Sequence, residues 1–312
     1  MIVTVTLNPA VDIAYKVNHF QIGHGHRVEP GSKTAGGKGL NVSRVLKKLG
    51  ESPVCTGFLG GNSGEWIVDQ LRQEELDHAF IEIKGETRTC LALLDEEAGT
   101  QTELMEKGPI VSEEEQEEFE EVLKELMSEA GMIIASGSLA SGIPASYYQT
   151  ICEWAHTANI PVLLDTSGDA LTKGIEGKPF LIKPNKEELC KYMNQADLTV
   201  NEMVAAAKKI CTQGVQYVLV SLGKEGALLV GEDLFLKAEI PTVQVVNAVG
   251  SGDSMVAGMA YALQKKYSIE DCLKWACACG TANAMEQGTG TVHPHIVQEL
   301  MEKIQIIQKE KA

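Results

Sequence analysis

Gly250-Ser251-Gly252-Asp253 stands at the head of a helical pattern that continues through Met255–Lys265. Bare glycine amides there can aim N–H groups at a developing negative charge, and Asp253, in the first helical turn, is a candidate base. An aspartate that only caps the helix is the other reading. The spacing is not a dinucleotide fingerprint, which needs glycine where Met255 stands. A second cluster, Ala35-Gly36-Gly37-Lys38-Gly39-Leu40-Asn41, also directly precedes a helix. Its glycines let backbone approach a ligand closely, and a helix N-terminus offers free N–H groups. It is not a nucleotide P-loop, because Gly39 follows Lys38 where that pattern needs Ser or Thr; a mere tight turn is the alternative.

Two more segments complete the chemistry. Ser221-Leu222-Gly223-Lys224-Glu225-Gly226 is a strand end that turns sharply, either for a ligand or as a hairpin. In Lys183-Pro184-Asn185-Lys186-Glu187-Glu188 a strand end opens a helix. Asn185 and Glu188, three apart, can share a helical face and meet a Mg²⁺ shell through water. An N-cap Asn with a Glu favoured by the helix dipole explains the same pair. Glycine-rich anion cradles, one candidate base and a Mg²⁺-compatible pair are the parts phosphoryl transfer requires. All lie where strands end and helices begin, the place where open α/β sheets bind ligands.

The elements that must hold these residues alternate. Ile2–Thr6, Val54–Phe58, Met132–Ala135, Pro161–Asp165, Phe180–Lys183 and Tyr217–Ser221 read as strands, apolar on both faces as in a covered parallel sheet. Leu40–Leu49 reads as a helix stopped by Gly50. Ser112–Ala130 reads as one opened by a Ser112/Glu115 capping box, its acidic run a solvated face. The alternation predicts a doubly wound α/β domain. Val11–Ala35 and Thr87–Met105 break it with polar-alternating strands. The latter includes a hairpin turning at Glu96-Glu97-Ala98-Gly99. Such inserted strands need a second, small sheet, which over a site would act as a lid.

Composition narrows the class. The 312 residues carry Lys+Arg 27 against Asp+Glu 43, a net charge of −16, with 44% hydrophobic residues. That suits a packed core and argues against nucleic-acid partners, which need a cationic face. No apolar run reaches the roughly 20 residues of a membrane span, and Met1–Thr6 reads as a strand rather than a signal peptide. Eight cysteines without a CxxC or disulfide spacing read as reduced thiols of a cytoplasmic protein. His24 and His26, beside Gly25, read as surface residues or substrate contacts. His293-Pro294-His295 reads as the start of the last helix.

Thr6-Leu7-Asn8-Pro9-Ala10-Val11-Asp12, Gly36–Asn41 and Gly250–Asp253, in that order, resemble the ribokinase-like (phosphofructokinase B type) family of sugar kinases and its phosphosugar branch, over essentially the whole chain. The resemblance implies a single three-layer α/β domain, 1–312, mostly parallel sheet with helices on both faces. A β-sheet lid would be inserted at about 11–35 and 87–107, pairing two copies into a homodimer. It implies ATP and Mg²⁺ as cofactors. Asp253 matches the family's base, ionised at pH 7 if its pKa is ordinary. Gly250, Ser251 and Gly252 would offset charge on the transferred phosphoryl group. Asp12 matches the residue that binds sugar hydroxyls, and Gly37, Asn41 and Ser138 match further sugar-site positions. Lys38, Arg88 and Arg27 would hold the phosphate already on the sugar. Lys183, Asn185, Ser221, Gly223, Gly226 and Asn283 match nucleotide positions, with Asn185 and Glu188 toward the metal.

Within the branch, Lys33-Thr34-Ala35, Gly85-Glu86-Thr87-Arg88-Thr89-Cys90 and Glu106-Lys107-Gly108-Pro109 resemble kinases of ketohexose phosphates. The expected substrate is tagatose 6-phosphate, taken at its 1-hydroxyl to the 1,6-bisphosphate; fructose 1-phosphate is the alternative. A catalytically silent sugar-phosphate binding module is the reading from another class, and Asp253 behind its glycines weighs against it. Ala140 and Ala248 stand where such kinases usually carry proline, which loosens both loops and leaves the chemical groups in place.

Overall fold

A computed structural model describes residues 1–95 and 97–308. Its strands are β1 (Ile2–Thr6), β2 (Ala10–Val17), β3 (Ser32–Gly36), β4 (Pro53–Leu59), β5 (Asp77–Glu82), β6 (Arg88–Asp95), β7 (Thr100–Met105), β8 (Met132–Ser136), β9 (Val162–Asp165), β10 (Leu181–Ile182), β11 (Tyr217–Ser221), β12 (Ala227–Val230), β13 (Phe235–Glu239) and β14 (Gln305–Gln308). Its α-helices are α1 (Lys38–Lys48), α2 (Gly61–Gln73), α3 (Glu113–Met127), α4 (Tyr147–Thr157), α5 (Gly168–Glu176), α6 (Lys186–Tyr192), α7 (Val200–Cys211), α8 (Ser251–Gln264), α9 (Ile269–Ala284) and α10 (Pro294–Lys303).

The large sheet runs β14-β13-β12-β11-β10-β9-β8-β1-β4-β5. From β5 to β11 every neighbouring pair is parallel; β12, β13 and β14 extend it antiparallel. Side chains alternate across each strand, so Val3, Val5, Ile133 and Val220 bury under α3–α7. Ile2, Met132, Ile134 and Leu219 bury under α1 and α8–α10. Both faces of the strands are therefore apolar, and three layers result.

The predicted strands are present, with one correction: Phe180–Lys183 contracts to the two residues of β10. Pro184 just beyond has no N–H for a ladder, and the Lys183 side chain is drawn into an ion pair described below. The Ser112/Glu115 capping box opens α3 as read, and α3 ends at Met127. The antiparallel extension and β5 were not foreseen. Helix α1 starts two residues before the expected Leu40, and Gly50 stands just past its end with φ +89°.

A second sheet, β3-β2-β6-β7, gathers the two polar-alternating insertions. Its central pair, β2 and β6, is parallel over eight residues from Ala10↔Arg88 to Val17↔Asp95. The β6–β7 hairpin forms in antiparallel register; Glu96 of its turn lies outside the described residues. Val11 and Ala35 of this sheet pack with Leu40, Leu59, Ile67 and Leu71, which seats it on α1 and α2. In the segment joining β2 to β3, His24 is exposed and His26 half-buried against Phe20. His293 caps α10, with Pro294 in its first turn. Among the described residues no helix is long and apolar enough to cross a membrane, and all eight cysteines are free, seven of them buried.

Candidate active site

The polar residues singled out in the sequence converge where β1, β8, β9, β10 and β11 end and where α1, α6 and α8 begin. Helices α1 and α8 start on glycine, Gly37 (φ +121°) and Gly250 (φ +81°), with no side chain capping them. Both values suit glycine alone; the first amides of α1 take no partner among the described residues, whereas in α8 the Ser251 N–H is donated to Ala248 O and the Gly252 N–H is the one left open. Helices α3, α6, α7 and α9 are closed by Ser112, Asn185, Thr199 and Ser268 instead. The α2 start is filled by Glu86, whose carboxylate accepts from Asn62 N at 3.2 Å and Ser63 N at 2.7 Å.

Asp253 is 6% exposed and does not cap its helix. Its Oδ2 instead accepts Asn41 Nδ2 at 2.8 Å, joining the two glycine clusters through one bond. Burial, reinforced by the charge of Asp165, pushes Asp253 up to about 6, against Lys38, the Asn41 bond and Lys183. The expectation of an ordinary pKa is therefore corrected: a carboxylate shut away from water holds its proton more tightly. At pH 7 roughly nine in ten copies are still ionised.

A wholly buried acid that sequence reading passed over organises the cations. Asp165 ends β9, and its Oδ1 takes Lys38 Nζ at 3.2 Å while Oδ2 stands 3.4 Å from Lys183 Nζ. Burial alone would raise Asp165; the two ammonium groups outweigh it and hold it below the usual range. Asp165 in turn raises Lys38, so Lys38 stays charged. A Cβ on Gly252 would come 3.1 Å from Lys183 Nζ, so that glycine admits the lysine to the start of α8. The signal for Asp165 was its place at the carboxyl end of a predicted strand.

Asp12 lies on β2 against Gly36, where any Cβ would collide with its carboxylate. Burial raises it to about 6, opposed by Arg88 and Arg44; Glu103 and Asp253 add to the rise. Asp12 is thus near enough to Asp253 to feel its charge. Arg88 is fixed by carbonyls: Nε and Nη2 donate to Asn8 O at 3.2 and 2.9 Å, and Nη1 to Glu106 O at 2.9 Å. Among the described residues no carboxylate is paired with it, so its charge is free to act on an anion. Asn8 Nδ2 in turn reaches Ser138 Oγ at 3.1 Å, while Asn8 Oδ1 is buried without a partner. Arg27 is exposed between β2 and β3 and makes no ion pair among the described residues.

The nucleotide-side residues separate into two groups. Asn185, Ser221 and Gly223 line a cleft of about 550 Å³ that continues past Lys186 to Asp197, Thr199 and Met203. Asn185 and Glu188 also form the capping box, Asn185 Oδ1 accepting Glu188 N at 2.8 Å and Glu188 Oε2 accepting Asn185 N at 2.8 Å. Glu188 Oε1 takes no hydrogen bond among the described residues. Gly226 borders that cleft without lining it, its N–H donated to Gly223 O at 3.1 Å, and Asn283 is not among the lining residues. A Cβ on Gly226 would strike Ala238 O of β13, in the tight turn that joins β11 to antiparallel β12. Asn283, fully buried, donates to Val249 O at 2.8 Å and accepts Thr291 N at 3.2 Å, bolting down the loop before α8. Ala248 O closes the same loop by accepting Ser251 N at 3.2 Å.

Two glycine-led helix starts, a buried carboxylate and two tethered lysines at the end of a parallel sheet bring together the kinds of group that phosphoryl transfer uses. The model of the pfkB family carbohydrate kinases matches residues 5–296, and the chain belongs to that family of transferases. The tagatose-6-phosphate kinase of Staphylococcus epidermidis, in each of two strains, is 43% identical over 311 residues, covering 99% of this chain and 100% of the relative. The tetrameric inhibited form of phosphofructokinase-2 from Escherichia coli matches with TM-score 0.90 and 30% identity over 96% of this chain and 98% of its own. A chain described as a possible 1-phosphofructokinase from Thermotoga maritima matches with TM-score 0.86 and 25% identity over 99% of this chain and 100% of its own.

Proposed function

We propose that this kinase transfers the γ-phosphoryl group of MgATP to the 1-hydroxyl of tagatose 6-phosphate, releasing ADP and tagatose 1,6-bisphosphate. The observation that carries the reading is the Asn41–Asp253 bond, which ties the candidate base to α1, with Asp12 near enough to feel its charge. Asp253 accepts the hydroxyl proton as that oxygen bonds to phosphorus and the bond to ADP breaks. The α8 amides at Gly250 and Gly252 and the ammonium of Lys183 offset charge on the group in transit, while the Ser251 N–H, donated to Ala248 O, holds the loop that carries them. Lys38, held by the same Asp165, faces it from the sugar side. Asp12, Gly37, Asn41 and Ser138 hold the sugar, and Arg88 with Arg27 holds its 6-phosphate.

The 550 Å³ cleft is of the size that takes small-molecule ligands, and Asn185, Ser221 and Gly223 in it suit ATP. Glu188 Oε1 and the Asn185 side chain fit the water shell of Mg²⁺, a metal that usually arrives with phosphate rather than in a protein cage. Bound Mg²⁺ would supply charge neutralisation on the phosphates.

The small sheet is proposed as a lid that excludes water during transfer. The apolar Leu104 and Met105, exposed on its edge strand β7, support a second role in joining two copies. Equal protease cleavage of residues 11–35 with and without saturating sugar phosphate would argue against closure.

Fructose 1-phosphate is the second reading, favoured by the likeness to the Thermotoga maritima chain. Parallel kcat/KM measurements on the two sugars, with ATP saturating, decide between them. A preference of tenfold or more for tagatose 6-phosphate is expected; a preference for fructose 1-phosphate overturns the assignment.

A further inference from the structure

Arg44 lies on α1, one turn after Asn41, and is 8% exposed. A guanidinium so deeply buried needs partners for its donors, and it has three. Nε donates to Glu74 Oε2 at 2.8 Å, Nη2 to the Ala35 carbonyl, and Nη1 to Asn41 Oδ1 at 3.0 Å. The opposite end of that amide, Nδ2, donates to Asp253 Oδ2. A continuous chain therefore runs Glu74, Arg44, Asn41, Asp253, from the end of α2 to the candidate base.

The chain has one consistent polarity. An amide side chain has an acceptor end and a donor end of nearly the same shape. Arginine can only donate, so Oδ1 must face Arg44. A carboxylate can only accept, so Nδ2 must face Asp253. Without Arg44 the amide is free to turn, and its oxygen can meet Asp253 only when Asp253 is protonated. The turned amide would thus favour the inactive form of the base. Lysine cannot replace this arrangement, because three acceptors in different directions need the planar fork.

We propose, on the reading that Asp253 is the base of the kinase reaction, that Arg44 is a positioning residue. Anchored by Glu74 and the Ala35 carbonyl, it locks the Asn41 amide so that Asp253 Oδ2 is held and Oδ1 is left to receive the sugar hydroxyl. The other charged groups that face Asp253 are Lys38 from α1, Asp165 from β9, Lys183 from beyond β10 and Asp12 from β2, and of these Asp12 is itself held down by the charge of Arg44.

The test is kcat against pH between 5 and 9, with both substrates saturating, for the parent, Arg44→Met and Glu74→Gln. Expected is an acid limb centred near 6 in the parent, moved up by on the order of one pH unit in Arg44→Met. Its turnover falls about tenfold near pH 6.5 and recovers as pH rises, with KM for ATP within about twofold of the parent. Glu74→Gln keeps the shape of the anchor but not its charge, so a smaller shift in the same direction is expected. That variant, at a half-exposed position, carries the test if Arg44→Met does not fold. A limb that stays put in every variant that folds, whether or not turnover drops uniformly, overturns the proposal. Asp253→Asn, assayed alongside, separates the two layers: full activity there removes the base itself, whereas loss there with unmoved limbs in the other variants removes only the role of Arg44.

Discussion

The molecule holds the groups proposed to react and those proposed to grip the sugar phosphate in opposite ways. At the end of the large sheet Asp165, Lys183, Asn41, Asp253 and Asn283 are all buried, and each makes a side-chain bond or ion pair to another element. On the small sheet β7 is exposed along its whole length, Arg27 stands in solvent, and Ile22 is 92% exposed. Fixed dipoles and charges are worth most where water is excluded and nothing need reorganise. A grip that must admit and release a doubly charged sugar gains from strands with few buried contacts, which open at little cost. Arg88 is the seam: it belongs to β6 yet is pinned to Asn8 O, just past β1.

Substitutions on either side of that seam should behave differently. The largest effect is expected for Asp253→Asn, a fall in kcat of about 10²–10⁴-fold with KM for the sugar nearly unchanged. The same variant should be more stable at pH 7. A carboxyl whose folded pKa is raised stabilises the fold below its unfolded pKa and loses that stability as pH climbs through about 6. Thermal melting at pH 7 should accordingly rise by on the order of 2–4 °C, and the gain should vanish near pH 4. Parental turnover in Asp253→Asn would break the comparison outright.

Asp165→Asn removes the shared anchor and leaves the buried Lys183 without its counter-charge and the half-buried Lys38 untethered. It should lower kcat about 100-fold and destabilise the fold by roughly 3–5 kcal/mol, read by urea unfolding. A variant of unchanged stability would show that the centre is more open to water than its burial indicates. Arg88→Met should raise KM for the sugar phosphate about 10–100-fold, the range of a lost charge-assisted bond, with a smaller change in kcat. If kcat falls more than KM rises, Arg88 belongs to the reacting centre instead. Arg27→Ala should change KM by only about twofold to fivefold, because an exposed charge acts through screened attraction. Saturation kinetics at low and high salt read both.

Much of this was written in local sequence. The α3 capping box, the β6–β7 hairpin and both glycine-led helix starts depend on neighbours within a few residues; all are present, with α1 beginning two residues earlier than its spacing predicts. The roles of Asn185 and Glu188 were left open between cap and ligand. The cap is present, and one Glu188 oxygen remains unused. What could not be read depends on partners far along the chain. Asp165 looks like the last residue of any strand until Lys38 and Lys183 arrive from either side. Arg44 looks like an ordinary helix cation until Glu74 and Asn41 are seen around it. The raised pKa of Asp253 follows from burial, which no spacing reports. Strands β12–β14 reverse the sheet direction through a turn whose sequence suits a ligand loop equally well.

The parallel eight-residue pairing of β2 with β6 carries a consequence for assembly during synthesis. When β2 leaves the ribosome, β3 is the only partner soon at hand, and the central ladder waits until β4, α2 and β5 have been made. Closing so long a loop is slow and entropically unfavourable until the intervening elements have packed. The large sheet can therefore begin to zip around β1 and β4 while the small one is still half built, and the mouth of the cleft is the later part of the molecule to take shape.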